Sequence, residues 1–208
     1  MDALDLLLNR VSVTRLCEPA PDADQLDLLF RAALRAPDHG QLHPWRFLTV
    51  EGDARGKLGE LFADALQARQ TDASDEALQK ARNMPLRAPM LIVVIASPKA
   101  HPKVPEGEQV LAAGCAAHGL LLAAHAQGIG AVWRTGEFAY DPHVMTGLGL
   151  AEQDNGYDLP RAIATISLAI AILTEATLSF LGVGVPPTQP SLGTLIRIGN
   201  DYLFSGEW

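Results

Sequence analysis

The chain has 208 residues, of which 48% are hydrophobic and 19% are charged. This composition is typical of a globular protein with one sizeable core. The formal net charge of −8 argues against nonspecific nucleic-acid binding, which needs clustered Lys and Arg. Cys17 and Cys115 are far apart and form no CxxC pair, so neither a disulfide framework nor a zinc site is expected, and a cytoplasmic location fits.

Apolar residues at helical spacing, bounded by capping and proline signals, predict four helices in the first half, over residues 2–9, 22–35, 54–69 and 75–83. Asp22 is the expected N-cap of the second helix. A loop bracketed by Pro37 and Pro44 follows it. The run at 46–51 predicts a strand, and the continuous apolar run at 90–96 predicts a strand that is buried on both faces.

Residues 107–127 form the most distinctive segment, because Ala, Gly and Leu dominate it and it is apolar almost all round. Such a helix is expected to be buried on every side. Gly128 suits its C-terminus, and Ala131 to Trp133 predicts a short strand. The alternation of helices and strands predicts an α+β or α/β sandwich around a central sheet.

The composition changes near Asn155. Residues 1–154 carry 34 charged residues, whereas residues 155–208 carry 6, and between 162 and 185 the only charge is Glu175. That stretch of 24 residues is about the length that crosses a bilayer. Taken alone, it predicts a transmembrane helix or a deeply buried one.

The first cluster with chemical potential is the stretch Arg10 to Arg15, in which two arginines and two hydroxyl residues follow a short helix. Guanidinium and hydroxyl groups are the donors that an anionic phosphate requires. The alternative is a solvated loop, and spacing alone favours it.

The second cluster surrounds the proline-bracketed loop and contains Arg35, His39, His43 and Trp45. The two histidines have a spacing that binds metal on a helix, but the prolines oppose a regular helix and no third ligand is evident, so no metal is predicted. The cluster suits a flat polar ligand, and the alternative is a rigid connection with locally bonded histidines.

The third cluster runs from Gly128 to Gly136. Its glycines permit close approach of the backbone, and Arg134 with Thr135 at a strand end offers donors to a phosphate. A plain turn from helix to strand explains the same pattern. No Ser-His-Asp set, paired-carboxylate signature or P-loop is present.

Taken in order, these clusters make residues 1–154 similar to the nitroreductase family of small bacterial flavoproteins. The similarity also rests on Arg-Ala-Pro-Asp-His at 35–39, Lys-Val-Pro at 103–105, Ala-Gly-Cys at 113–115 and Trp-Arg at 133–134. It implies a three-layer α/β/α sandwich with a mixed central sheet. It further implies an oxidoreductase that transfers hydride from NAD(P)H through FMN to a nitro, quinone or related small-molecule acceptor.

The resemblance also implies a homodimer with FMN at the interface, where the helix at 107–127 forms the dimer core. It implies that the phosphate-binding arginine pair is reduced, because Val11 stands at the second position. No catalytic acid or base is implied. The implied flavin contacts are Arg10, Val11 and Ser12 of one subunit, Arg35 and His39 of the other, and Trp133, Arg134 and Thr135. The implied nicotinamide-nucleotide contacts are Ala123, Ala124, His125, Ala126, Gln127 and Gly128.

From about Arg161 onward, Leu-Thr-Glu-Ala-Thr-Leu-Ser-Phe-Leu-Gly-Val-Gly-Val and its flanks resemble the permease subunit of dipeptide and oligopeptide ABC transporters. The expected organisation is therefore a C-terminally truncated flavin-binding domain at 1–154, a junction at 155–160, and a permease-like fragment at 161–208 with an apolar helix foreign to the fold. Two functions stay open at this point. One is an FMN-dependent oxidoreductase; the other is an inactive chimera whose exposed tail contacts a membrane or aggregates. A transport component is disfavoured by the soluble pattern of the first 154 residues.

Overall fold

In a computed structural model, residues 1–150 and the backbone of 161–169 are described. The helices are α1 (Ala3–Asn9), α2 (Ala23–Ala33), α3 (Ala54–Arg69), α4 (Asp75–Asn83), α5 (Glu106–Ala126) and α6 (Pro142–Gly147). The strands are β1 (Trp45–Glu51), β2 (Met90–Ala96), β3 (Gly130–Arg134) and β4 (Arg161–Ala169). Every element predicted within the first 150 residues is present, and α2 begins with the predicted cap, where Asp22 and Gln25 form a capping box.

The four strands form one sheet in the order β1-β2-β4-β3. Since β4 is antiparallel to both of its neighbours, β2 and β3 run parallel to each other and are joined by α5. Neighbouring strands lie about 4.8 Å apart, so β2 and β3 are about two strand spacings apart. The strand β4 fills that gap and closes the hydrogen-bonded ladder.

The prediction of a helix through residues 162–185 is wrong for its first part, because 161–169 form the inner strand β4. Residues 170–185 lie outside the described residues. A short run of apolar and β-branched residues fits a strand as well as a helix. The open position between β2 and β3 favours the strand, because a strand there bonds to both neighbours. Each pairing among the described strands is antiparallel, whereas a mixed sheet was expected.

The three-layer arrangement is visible in β2, whose side chains alternate between two cores. Ile92 and Val94 pack in the core beneath α2 and α5, while Leu91 and Val93 pack in the core beneath α3 and α6. All seven residues of β2 are buried, which confirms the predicted two-sided burial. The α+β class and the sandwich are confirmed.

The helix α5 differs from its prediction in one respect, because it is not buried all round in the single chain. Its inner side is in the core, whereas Leu111 is 71% exposed and Cys115 is also exposed. α2 packs closely across it, since a Cβ placed on Gly119 would lie only 3.1 Å from the carbonyl oxygen of Ala32. Among the described residues α5 is the one helix whose length and hydropathy would allow a membrane span; its inner side packs in the protein core.

Candidate functional site

The segment from Arg10 to Arg15 is held against the sheet. The backbone N–H of Val13 donates to the carbonyl oxygen of Ala131 in β3 at 3.0 Å. By chain geometry this bond keeps the backbones of Ser12 and Trp133 within about 15 Å of each other. The structure therefore brings the first and third clusters of the sequence together.

Free donors surround this contact. Ser12, Arg134 and Thr135 are exposed and Arg10 is half-buried, and within the described part of the chain none of these four side chains has a hydrogen bond or an ion pair. Polar groups without partners among the described residues are available to a ligand, and guanidinium and hydroxyl donors suit a phosphate.

Arg10 also lies close to the C-terminal end of α5. The pKa of His125 is lowered below its usual value, mainly because partial burial disfavours the charged imidazolium and further because of the Arg10 guanidinium, while Asp5 acts in the opposite direction. The neutral ring is therefore favoured at this end of the helix.

The second cluster lies at the other end of α5. His39 Nδ1 is 2.9 Å from the Glu108 carboxylate in the first turn of α5, and the loop is fixed further by Asp38, which accepts the backbone N–H of His43 at 2.8 Å. Arg35 follows α2 and is exposed. The His39 ring thus has a partner on α5, and the His43 ring lies 3.6 Å from the Asp38 carboxylate, as in the alternative interpretation of a rigid connection.

Within one chain the structure does not bring His39 to Arg10. His39 contacts Glu108 and Arg10 acts on His125; these two positions of α5 are 17 residues apart, or about 25 Å along the helix. This distance is well beyond the width of a flavin ring. Within one chain, a flavin that touches Arg10 therefore does not reach His39.

The stretch from Ala123 to Gly128 is partly covered. Ala124 is fully buried in the core, and Gln127 donates to carbonyl oxygens of Gln25 and Ala123. Ala126 and Gly128 are exposed, and Gly128 has a φ of +73°, which favours glycine. Ala124 is thus the one buried residue of the six, and the other five are half-buried or exposed.

Trp133 is half-buried on the helix side of the sheet, where a Cβ placed on Gly114 would lie 4.0 Å from its ring. Beyond it, Arg134 and Thr135 line the edge of an apolar cavity of about 170 Å³ under α3 and α6. Arg87 also lines this cavity. The cavity could not be predicted from the sequence, because its lining comes from separate parts of the chain.

The loop between β2 and α5 was also not predicted as part of a site. Its geometry depends on Gln109, which is 2% exposed. The Gln109 side chain accepts the backbone N–H of Lys99 at 2.7 Å and donates to the carbonyl oxygen of the same residue at 2.7 Å. A glutamine beside the small apolar residues of α5 was the available signal, because a buried amide needs hydrogen-bond partners.

Comparison with known proteins gives a consistent result for most of the chain. The sequence model of the Nitroreductase family matches residues 7–157. The protein named "Putative NAD(P)H nitroreductase YdjA" of Escherichia coli is 45% identical over 154 residues, which are 74% of this chain and 83% of that protein.

Solved structures share the fold. A nitroreductase-like family protein from Bacillus cereus superimposes with a TM-score of 0.66 at 20% identity and covers 92% of this chain and 90% of its own. A nitroreductase with bound FMN from Bacteroides fragilis gives a TM-score of 0.57 at 23% identity over 80% of this chain and 86% of its own.

A different similarity lies in a short part of the chain. The di/tripeptide transport system permease protein DppC of Pseudomonas aeruginosa is 44% identical over 45 residues, which are 22% of this chain but 15% of the permease. The predicted chimeric origin is supported by this match together with the family match at 7–157.

Proposed function

This chain belongs to the nitroreductase family, and from that premise we propose that it is an FMN-dependent oxidoreductase that uses NAD(P)H to reduce a nitro, quinone or related small-molecule acceptor. The observation that carries the proposal is the contact between the Arg10–Arg15 segment and β3, which brings the cationic and hydroxyl residues of that segment beside the strand that leads to Arg134 and Thr135. When bound, FMN supplies the hydride and electron chemistry. The protein binds and orients it.

The residues near β3 fit the phosphate end of FMN. Arg134 and Arg10 offer guanidinium donors, and Ser12 with Thr135 offers hydroxyl donors. Val11 is 56% exposed and adds no charge. The electrostatic attraction of this segment for a phosphate therefore comes from Arg10 and Arg15, at its two ends. Trp133, held against α5, gives the site a rigid apolar wall.

We propose that the site is completed by a second copy of the chain. The outward residues of α5 are Glu108, Leu111, Cys115, His118, Leu122 and His125, and we call this set the α5 stripe. Its spacing of three, four, three, four and three residues reads the same in both directions. In two copies packed antiparallel about a two-fold axis, the first residue of the stripe therefore faces the last residue of the partner's stripe, and the second faces the second-to-last.

In that arrangement Glu108 faces the partner's His125, and Leu111 faces the partner's Leu122. The end of α5 that contacts His39 then lies beside the partner's Arg10. His39 and an Arg10 are thereby brought together across the interface, although about 25 Å separates them within one chain. Exposed leucines of α1 (Leu4, Leu7 and Leu8) supply further apolar area for the interface.

The C-terminal part of the chain enters this proposal through β4. Because β4 pairs with both β2 and β3, the segment that begins at residue 161 contributes to the flavin-binding sheet, which favours the enzyme over the inactive chimera. The division into 1–154, 155–160 and 161–208 stays a prediction from composition and resemblance. Two unpaired, exposed cysteines suit the proposed cytoplasmic location.

The direct test is the absorbance spectrum and the mass of the purified full-length protein. A flavin spectrum with about one FMN per chain in a dimer, and oxidation of NADPH or NADH with a quinone or nitroarene, is expected. Arg134→Ala should weaken FMN binding about tenfold or more, since a charge-assisted phosphate contact is lost. Arg31→Ala, at an exposed arginine paired with Asp27 on α2, is the matched control and should bind normally.

The dimer has its own test. Leu111→Asp puts a charge in the α5 stripe and should give a monomer that does not hold FMN. Leu86→Asp changes a leucine that is 51% exposed away from α5 and should leave the dimer intact. A colourless protein that takes up no added FMN, or a Leu111→Asp dimer of normal affinity, would contradict the proposal.

A further inference from the structure

Glu108 lies in the first turn of α5, where its carboxylate has no role in capping the helix. A glutamate at this third helical position often accepts the backbone N–H of the N-cap residue. The N-cap of α5 is Pro105, which has no N–H. The carboxylate is therefore free to bond elsewhere, and it lies 2.9 Å from Nδ1 of His39, which precedes it by 69 residues.

The backbone that carries His39 is fixed independently of this bond. His39 begins a single 3-10 turn, His39–Gln41, and an aspartate side chain before the turn accepts a backbone N–H after it at 2.8 Å. Gly40 in this turn has a φ of +79°, and a Cβ there would lie 3.5 Å from the Val104 side chain. The loop itself thus sets the backbone position, and the freedom that remains is rotation of the His39 ring.

The bond to Glu108 decides which ring nitrogen carries the hydrogen. In the single chain 62% of the His39 side chain and 52% of the Glu108 side chain are exposed, and such exposed pairs add little to stability. The chemical consequence is larger, because an ionised carboxylate only accepts hydrogen bonds. Nδ1 therefore carries the hydrogen, and Nε2 of the neutral ring is left as an acceptor.

We propose that Glu108 is a positioning residue for FMN. It holds the His39 ring with its hydrogen on Nδ1 and so presents Nε2 to the flavin as a hydrogen-bond acceptor. The inference rests on the proposed function, in which a flavin between two copies contacts His39. Nε2 has no partner among the described residues, and the ring system of oxidised FMN carries one N–H that can donate to it.

The affinity for FMN tests the proposal through a double-mutant cycle. The Kd is measured by dilution of the flavin-loaded full-length protein, with the released FMN followed by its fluorescence. Glu108→Ala should raise the Kd about tenfold, which is the value of one hydrogen bond. In a His39→Ala background the same change should leave the Kd unaltered, because Glu108 acts through the ring. Glu108→Gln, whose amide oxygen also accepts, should restore most of the affinity.

Two controls separate this role from the charge of the helix end and from the dimer contact. Glu106→Ala removes an exposed acidic residue of the same turn and should leave the Kd unchanged. In the proposed dimer Glu108 also faces the partner's His125, so size exclusion at the same concentrations should show a dimer for each variant. In a His125→Ala background, Glu108→Ala should still raise the Kd.

The position of the ring hydrogen is read by nitrogen NMR of the histidine-labelled, flavin-loaded protein at about pH 8.5, with His39→Gln to assign the signals. The unaltered protein should show the His39 hydrogen on Nδ1, and Glu108→Ala should shift it towards Nε2. A hydrogen on Nε2 in the unaltered protein, or the same loss of affinity from Glu108→Ala with and without His39, would overturn the inference while FMN binding leaves the proposed function intact. A protein that takes up no FMN would overturn both.

Discussion

A proline in the middle of β4 tests whether residues 161–169 hold the sheet together. Ile166 pairs with Ile92 of β2 and with Trp133 of β3, so it is flanked on both sides. Proline there removes an N–H from an inner strand and leaves a neighbouring carbonyl oxygen unbonded. We expect Ile166→Pro to cost about 3 kcal/mol or more, a large share of the 5–15 kcal/mol that typically holds a domain folded.

The assay is urea unfolding at fixed protein concentration, followed by circular dichroism and by flavin fluorescence. Both probes should show the loss together, because β4 lies directly beside the Trp133–Arg134 part of the proposed flavin site. Asp75→Pro is the matched control: residue 75 is the first of α4 and Ser74 before it is extended at ψ 152°, a position that tolerates proline. Equal stability of the two variants would refute the placement of β4 between β2 and β3.

Three further predictions concern particular packing and charge interactions. Gly59→Ala should lower the free energy of unfolding by about 3 kcal/mol, because its Cβ would lie 2.2 Å from the carbonyl oxygen of Arg82. Gly56→Ala in the same helix meets nothing within 4 Å and should raise the free energy of unfolding by about 0.5–1 kcal/mol. Thermal unfolding compares the two variants. Asp141→Ala should cost about 3 kcal/mol, since this buried carboxylate caps α6 and lies 3.1 Å from Arg69, and Asp141→Asn, which keeps a capping acceptor, should cost less. In the single chain, tested as the monomeric Leu111→Asp variant, the pKa of His125 is below its usual value. The unfolded state therefore takes up the proton first, so the stability of that variant should fall as the pH drops below about 6.5. His125→Gln in the same background should flatten that slope in urea titrations between pH 7.5 and 5.5.

Most of the fold could be read from the sequence because local signals agreed with it. The cap at Asp22, the unbroken apolar run of β2 and the small residues of α5 each predicted their element correctly. The strand β4 could not be read in this way. Its nine residues suit a buried helix equally well, and what makes them a strand is the gap between β2 and β3, which is a property of the assembled sheet.

The candidate site was predicted in part. The sequence named the Arg10 and Trp133 clusters, and the structure joins them through Val13. The sequence could not show that Ala124 is buried in the core, nor that one side of α5 is exposed in the single chain. An apolar sequence does not distinguish a core from an interface between subunits. The hydrogen bonds of Gln109 were likewise not predicted, because the sequence shows a polar residue in α5 but not which backbone groups of the preceding loop it bonds.

The sharing of one flavin site by two copies of the chain is tested most directly by mixing two inactive variants. Arg10→Glu and Arg35→Glu should each abolish FMN binding as homodimers. If one site uses Arg10 of one copy and Arg35 of the other, co-expression with two affinity tags should yield mixed dimers with one intact site, hence about half of the full flavin content and NAD(P)H oxidation. Mixed dimers as colourless and inactive as both parents would contradict the shared site.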